Sequence, residues 1–410
     1  MNKLVKTFDL IVKNARLPDA DGLVDIAIKD DKILMVEKGI KANSKKRLDV
    51  KGNLTSAGFI DAHMHLDHAF VGGDDIWNGR TLAEAAKIVN RRRQALTPEE
   101  FKSNARKAAE MALINGSTAL RTHVSLDQIA GLRPLNAILE LKKECSDWMD
   151  IQVVAFNTEL PLTSFKIGES LLRQGMSSGA DIVGGLPYRD PKPEKYFDII
   201  FDVAKEFNAD IDLHVDETND PKILTLETYA EKTLEYGYEG KVAASHCCSL
   251  SAVSEKTAKR VIKKVRDAKM SIIANPITNL YLQGSDGNPN GVTRVRELLD
   301  AGVNVIYGTD NTRDAFNPLG TADMLCAALF LAYYKHLDVK NPLKKIFEMS
   351  TSKAAEATKI VPNYGIRRGG KADLVVFDAE TPEEAIMKQS RRLYVIKNGK
   401  IVLEKGILKL

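Results

Sequence analysis

Two histidines separated by a single residue, His63 and His65, close a short apolar run in the first fifth of the chain. Side chains two positions apart in a β-strand point to the same face, so both imidazoles can converge at the end of this strand. Neutral imidazoles arranged in this way supply half of a zinc or iron site. Later strand-like runs end in residue types that can complete it, namely His214, His246 and Asp310.

The middle of the chain alternates strand-like runs with helix-like patterns, for example over 98–114, 196–207, 251–268 and 292–301. The strand candidates end near His65, His123, Phe156, Gly185, His214, His246, Asn275 and Asp310. Eight β/α units over about 250 residues predict an α/β fold, a (β/α)8 TIM barrel, whose active site lies at the carboxyl ends of its strands. Every candidate ligand occupies such an end, which supports the fold and the site together.

Both ends of the chain are rich in short β-runs. The first fifty or so residues alternate such runs with turns, and near the other end Asn398-Gly399 marks a tight turn before the run 401–403. We therefore predict a small β-sandwich domain formed by residues 1–56 together with 361–410, and a barrel domain over 57–360.

The composition, with 44% hydrophobic and 28% charged residues among 410, is typical of a globular protein, and the net charge of +4 indicates no particular partner. The basic clusters 45–47 and 91–93 are interpreted as solvated surfaces, because no aromatic residues interleave them, so we expect no nucleic-acid partner. No apolar segment follows the basic start of the chain, and the helix candidate 324–334 is too short for a bilayer. We expect neither a signal peptide nor a membrane partner.

The four cysteines show no CxxC spacing, and such sparse use fits a reducing cytoplasm. Cys247 and Cys248 follow His246 directly, which allows a role at the metal. Buried or loop thiols are the favoured interpretation, because histidines and carboxylates already complete the coordination.

Acidic residues stand beside two of the strand ends. Glu217 lies three residues after His214 and can fold back over the barrel mouth, where a carboxylate that does not bind the metal serves as a proton shuttle. Asp216 is the rival for this role. Asp310 ends the buried run 305–309 and, facing the histidines, can bind metal and accept a proton from its water.

The other histidines receive different interpretations. His123 can line the pocket or serve the structure, and the sequence leaves both open. His68 and His336 are interpreted as loop or helix residues without a special role.

The order HxH, His, His, Asp on successive strands resembles the amidohydrolase superfamily, and within it the bacterial-type cytosine deaminase group with its N-isopropylammelide-hydrolysing relative. The resemblance runs through the whole chain, including the two-part terminal domain. The stretches that carry it are 115–116, 121–124, 153–156, 214–217, 244–246, 274–276, 282–284 and 317–320.

The resemblance implies one divalent metal ion, zinc or iron, held by the four side chains of His63, His65, His214 and Asp310. Dinuclear members often carry a bridging lysine or glutamate on a middle strand, and neither 151–156 nor 182–185 contains one. The resemblance also implies attack by a metal-activated hydroxide on a ring carbon that bears an amino group. In this scheme His246 and Asp310 orient the hydroxide, Glu217 carries a proton to the adjacent ring nitrogen, and ammonia leaves.

Three substrate-binding positions depart from the cytosine deaminase pattern. Thr158 stands in place of a glutamine that reads the base, Asn311 in place of an aspartate, and Phe316 in place of a tryptophan. Threonine offers one hydroxyl where glutamine offers a two-sided amide. A site whose polar groups pair with the edge of one substrate rejects analogues that leave those groups unpaired. These changes therefore favour a substrate ring other than cytosine.

The leading hypothesis is a metal-dependent hydrolytic deaminase of a small amino or imino heterocycle, either cytosine-type or a cyclic amidine such as creatinine. Isoguanine and pterins are larger options, and the N-isopropylammelide branch is less favoured because Glu217 is retained. The alternatives are a ring-opening cyclic amidase and a metal-free assembly or regulatory protein. The resemblance further implies a homo-oligomer.

Overall fold

The computed structural model describes residues 7–79, 81–284, 291–335 and 342–410. Its first four strands form one sheet in the order β3-β2-β1-β4. These strands are β1 (Phe8–Arg16), β2 (Leu23–Lys29), β3 (Lys32–Glu37) and β4 (Ser44–Asp49), and β5 (Thr55–Ala57) follows them in the chain.

Eight parallel strands then form the central sheet, with neighbours in strict chain order. They are β6 (Phe59–Met64), β7 (Ser117–Leu126), β8 (Asp150–Asn157), β9 (Ile182–Gly185), β10 (Asp210–Val215), β11 (Val242–His246), β12 (Ser271–Ala274) and β13 (Asn304–Tyr307). A parallel bridge between Met64 and Asp310 joins the first strand to the segment after the last. The predicted α/β fold with a TIM barrel is therefore confirmed.

Helices lie between the barrel strands. They are α1 (Leu82–Ala95), α2 (Pro98–Ile114), α3 (Arg133–Glu144), α4 (Lys166–Ser177), α5 (Pro193–Phe207), α6 (Thr225–Tyr236), α7 (Glu255–Asp267), α8 (Pro276–Gln283) and α9 (Val295–Asp300). Three helices follow β13, namely α10 (Met324–Lys335), α11 (Pro342–Met349) and α12 (Ser352–Thr358), and α13 (Pro382–Lys388) lies near the end of the chain. None of the helices in the described ranges is long and apolar enough to cross a lipid bilayer.

Two helices, α1 and α2, stand between β6 and β7, where a simple β/α repeat needs one. Each begins with a capping box, in which a threonine hydroxyl accepts from the backbone amide three residues on and the glutamate there bonds back. The pairs are Thr81 with Glu84 and Thr97 with Glu100. The second cap ends the continuous helical pattern and starts α2 as a separate helix. α1 can therefore take its own direction, and its residues line the cavity at the carboxyl ends of the strands.

The second terminal sheet is antiparallel, has the order β17-β16-β15-β14-β5 and combines β5 with strands from the other end of the chain. Those strands are β14 (Leu374–Phe377), β15 (Arg392–Lys397), β16 (Lys400–Glu404) and β17 (Ile407–Leu408). The Asn398-Gly399 turn, with positive φ at both residues, joins β15 to β16. Side chains from this sheet and from the mixed β1–β4 sheet, among them Val12, Ile26, Val376 and Ile396, share one apolar cluster.

The lower end of the barrel is filled. Small and branched side chains from the strands, including Ile60, Ala119 and Ile306, pack against Ala354 of α12 and Val361. This packing fills the end of the barrel opposite the carboxyl ends of its strands.

A buried lysine connects the second terminal sheet to the barrel. Lys397, at the end of β15, is fully buried, and its Nζ lies 2.5 Å from Asp150 Oδ2 at the start of β8 and 2.7 Å from Asp373 Oδ2. Removing one partner of a buried ion pair leaves an uncompensated charge, which is more costly than the pair is stabilising.

We expect Lys397→Met to lower the free energy of unfolding by about 3 kcal/mol, because Asp373 stays buried without its cation. Urea denaturation would measure the change. Lys400→Met, at an exposed position on β16, is the matched control and should stay within about 0.5 kcal/mol of the unsubstituted protein. Equal stability of the two variants would contradict the assigned role of Lys397.

Candidate active site

The four predicted metal ligands meet at the carboxyl end of the barrel. His65 Nε2 lies 3.1 Å from His214 Nε2 and 3.6 Å from Asp310 Oδ1. His63 Nε2 lies 3.8 Å from the same carboxylate oxygen. All four side chains are buried. Residues from β6, from β10 and from the segment after β13 are thus brought to one point.

The donor atoms fit a divalent cation. His63 Nε2 and Asp310 Oδ1 make no hydrogen bond within the described ranges, although both are buried. Burial lowers the pKa of His65 to about 3 and, with neighbouring histidines, holds those of His63 and His214 well below the usual range. Neutral imidazoles present lone pairs, and two nitrogen ligands of a tetrahedral zinc lie about 3.4 Å apart.

A hydrogen-bond chain orients His63. Its Nδ1 lies 3.0 Å from Ser245 Oγ, which itself donates to Asp212 Oδ1 at 3.0 Å. Because the serine proton points to Asp212, His63 carries its own proton on Nδ1 and leaves the lone pair of Nε2 free. Arg121 Nη1 holds Asp212 from the other side at 2.6 Å.

Asp61 holds the two ligand-bearing segments together and was not identified from the sequence. Its carboxylate accepts hydrogen bonds from the backbone and hydroxyl of Thr309, at 3.1 and 2.5 Å, and from His63 N at 3.3 Å. An acidic residue inside an otherwise apolar strand was the available signal, since a buried carboxylate requires partners.

His246 ends β11 beside the predicted ligands. One ring nitrogen of His246 lies within 4.8 Å of a ring nitrogen of His63 and of a carboxylate oxygen of Asp310. Asn279 Nδ2 lies 3.0 Å from its Nδ1 and Asn275 Nδ2 lies 3.3 Å from its Nε2, while Glu217 Oε1 is 3.6 Å from Nδ1. Burial lowers the pKa of His246 to about 3, so the ring is neutral.

Glu217 and Asp216 occupy different environments. Glu217 lines the cavity above the histidines, where Tyr188 donates to its Oε2 at 3.3 Å and burial raises its pKa to about 7. The carboxylate of Asp216 instead accepts hydrogen bonds from Thr225 N at 2.8 Å and Leu226 N at 3.0 Å, at the start of α6. Of the two rivals, only Glu217 faces the site.

The cavity has a volume of about 390 Å³. It is lined by three of the predicted substrate contacts, namely Thr158, Asn311 and Phe316. His123, the fourth, lies outside this lining and within β7 rather than at its end. Its ring packs 4.1 Å from that of His63, and its Nε2 lies 3.8 Å from Asp212.

His68 lies in a turn, as expected of a loop residue, and is buried in the cavity wall, with Nε2 3.0 Å from Ser125 Oγ and its ring parallel to that of His65 at 5.1 Å. One sequence interpretation was wrong. Arg93, expected on a solvated face, is 1% exposed and pairs with Asp127 at 2.8 Å, although its neighbours 91 and 92 are exposed. His336 lies outside the described residues.

The sequence also missed other cavity residues, above all Tyr188 and Arg189 in a short 3-10 helix after β9. The available signal was positional, because loops after barrel strands build the active sites of this fold. Phe156, already recognised as a strand end, packs 4.1 Å from the ring of His214 and lines the same cavity.

A parallel barrel with histidines and an aspartate at its strand ends defines a class of hydrolytic enzymes, and the comparisons agree. The model of the Amidohydrolase family matches residues 54–402, so the chain belongs to that family. It is 34% identical to N-isopropylammelide isopropyl amidohydrolase of Pseudomonas sp. (strain ADP), covering 98% of this chain and 99% of the relative. It is 30% identical to pterin deaminase of Rhizobium rhizogenes, covering 94% and 89%.

Among solved structures, 5-methylcytosine deaminase from Klebsiella pneumoniae, liganded with 5-fluorocytosine, superposes with a TM-score of 0.91 at 29% identity and covers 98% of both chains. The resemblance drawn from the sequence is confirmed. Family and relatives together identify a hydrolase that acts on C–N bonds.

We expect His214→Gln to reduce bound metal from about one ion per chain to below about a tenth, because a tetrahedral site loses one of its few protein ligands. Elemental analysis after metal loading would measure it. Added zinc should raise the melting midpoint of the unsubstituted protein but not of this variant. His68→Gln, a buried histidine outside the ligand set, should keep its metal, and its loss of metal would contradict the assignment.

Proposed function

We propose that the protein is a metal-dependent hydrolytic deaminase of a small amino or imino heterocycle. The observation that carries this proposal is the cavity that holds three of the four candidate ligands, His65, His214 and Asp310, together with a carboxylate outside the ligand set, Glu217. A metal site beside a protonatable carboxylate, in a cavity of heterocycle size, provides what hydrolysis of an amidine carbon needs.

The ion, zinc or iron, would be held by His63, His65, His214 and Asp310. Such an ion lowers the pKa of a coordinated water to about 7 and so supplies hydroxide at neutral pH.

The chain's own residues handle the protons. Asp310 lies beside the position of the reacting water, and its carboxylate can accept the proton that the water gives up. Glu217, with a pKa of about 7, exchanges protons readily at neutral pH and delivers one to the ring nitrogen next to the attacked carbon. The neutral imidazole of His246, beside His63 and Asp310, can donate a hydrogen bond to the developing oxygen. Protonation of the amine then releases ammonia.

The candidate rings are cytosine, creatinine and, given the size of the cavity, isoguanine or a pterin. The relatives with 34% and 30% identity are an N-isopropylammelide isopropyl amidohydrolase and a pterin deaminase. The ring-opening alternative is disfavoured because β8 and β9 contain neither lysine nor glutamate to bridge a second ion. A metal-free role leaves the buried His63 Nε2 without a partner.

The direct experiment is to incubate metal-replete protein with cytosine, creatinine and pterin and to measure ammonia, with alkylamine release from N-isopropylammelide measured in parallel. Ammonia from one of the three rings is the expected result. Ring-opened acid without ammonia would replace this proposal with the cyclic amidase. Release of alkylamine alone would assign to the chain the reaction for which N-isopropylammelide isopropyl amidohydrolase is named.

We expect Glu217→Gln to keep its metal and to lower kcat by about 10²–10⁴, because glutamine cannot transfer a proton. Steady-state kinetics on the substrate identified above, together with elemental analysis, would measure both. Glu159→Gln changes another carboxylate of the same cavity, one that bonds Gln128, and should change kcat less than about threefold. Near-full activity of Glu217→Gln would refute the proton-transfer role.

A further inference from the structure

The cavity wall built by α1 and the segment after β7 contains an ion pair that the proposed chemistry does not use. Arg93 Nη1 lies 2.8 Å from Asp127 Oδ2, and neither side chain is more than 5% exposed. Both residues line the cavity that Glu217 lines. Replacing a buried ion pair by apolar side chains is often neutral for stability or even stabilising. Stability alone therefore does not explain why an ion pair lies in this cavity wall, and its position indicates a role in binding.

The pair has unused hydrogen-bonding capacity. Arg93 Nε is buried, 3.9 Å from the carboxylate of Asp67, whereas Nη2 makes one long contact, 3.4 Å from Ser125 O, and keeps a second N–H. Asp127 accepts from Arg93, from Ala130 N at 3.0 Å and from Thr158 Oγ1 at 3.0 Å, whereas a carboxylate has about four acceptor positions. The pair therefore has one N–H and one acceptor position to offer a ligand, and both residues line the cavity.

Thr158 occupies the position where a substrate-reading glutamine is expected, but its hydroxyl is engaged by the protein. Oγ1 lies 3.0 Å from Asp127 Oδ2 and 3.3 Å from Leu126 O, so its single proton is directed to protein acceptors. It retains a methyl group and a lone pair for a ligand. Paired donor and acceptor recognition must come from other residues of this wall.

We propose that Asp127 and Arg93 read a lactam edge of the substrate, with Asp127 accepting from the ring N–H and Arg93 donating to the adjacent carbonyl. This inference rests on the proposed function, because it places an amino-heterocycle in the cavity. It separates the candidates by chemistry. Cytosine, isoguanine and pterin carry an N–H next to a carbonyl, whereas the amino tautomer of creatinine has no hydrogen on the nitrogen beside its carbonyl.

The test compares cytosine with 1-methylcytosine, which lacks the lactam hydrogen. In the unsubstituted protein, methylation should lower kcat/KM by roughly 100-fold or more, because it leaves the buried acceptor unpaired. In Asp127→Asn this penalty should shrink about tenfold, since cytosine loses its charged acceptor while 1-methylcytosine loses nothing. An unchanged penalty in Asp127→Asn would overturn the proposal.

Further variants separate direct recognition from structural damage. Arg93→Lys keeps the positive charge but loses the planar donor fork that contacts the carbonyl, which both substrates carry, so it should lower kcat/KM for both and leave the penalty nearly unchanged. Asp127→Ser, which also removes the charged acceptor, serves if Asp127→Asn folds poorly and should shrink the penalty in the same way. Glu159→Gln, the matched carboxylate-to-amide change in the same cavity, should leave the penalty at its original value. A penalty that collapses in Thr158→Val but persists in Asp127→Asn would assign the reading to Thr158 and overturn the proposal.

A binding measurement distinguishes this proposal from the proposed function. Calorimetry needs no turnover, and it can compare 2-pyridone, which has one N–H beside one carbonyl, with N-methyl-2-pyridone, which lacks that hydrogen. Preference for 2-pyridone that is lost in Asp127→Asn supports the lactam reading even if cytosine yields no ammonia, an outcome that contradicts only the deamination of that ring. Equal binding of the two pyridones, or binding of neither, overturns the lactam reading even if ammonia is released from another ring.

Discussion

Closure of the barrel between β6 and the segment after β13 is the constraint on which the site depends. Asp310 N donates to His63 O at 2.9 Å, and Gly308 makes this approach possible, because a Cβ there would lie 2.5 Å from that oxygen. Asp310 itself has a φ of 63°, which turns it out of the strand direction. The contact that closes the barrel therefore also sets the carboxylate against His63 and His65.

The electrostatics of the strand ends suit a cation better than any other occupant. Burial keeps the histidines neutral and opposes ionisation of Asp310, so in isolation the cluster carries little charge. A divalent ion reverses the balance for the carboxylate, since the ionised form becomes the better partner. The chain from His63 through Ser245 to Asp212 and Arg121 fixes the ring in advance, so that little rearrangement accompanies binding.

The barrel and the meeting of the histidines with Asp310 could be predicted from the sequence. Both depend on the periodicity of the strands and on the location of barrel active sites at the carboxyl ends of the strands. The sequence could not place Arg93, whose partner Asp127 is 34 residues away. In a run of three arginines, a helical turn of about 100° per residue exposes two and directs the third inward, and only the position of α1 decides which one. His68 was missed for the same reason, since its environment depends on Ser125 and Phe316 from distant segments.

The residues that the sequence predicted as reacting groups and those that it missed lie on different parts of the cavity. The reacting groups stand on strand ends, which the barrel holds in place, whereas the groups that contact the rest of a ring come from α1 and from the loops after β7, β8 and β9. Loops and an added helix can change without disturbing the strands beneath them. Members of the family can therefore differ in substrate, as the names N-isopropylammelide isopropyl amidohydrolase and pterin deaminase illustrate. On the lactam proposal, the ring is selected in this chain where α1 meets the loop after β7, at Arg93 and Asp127.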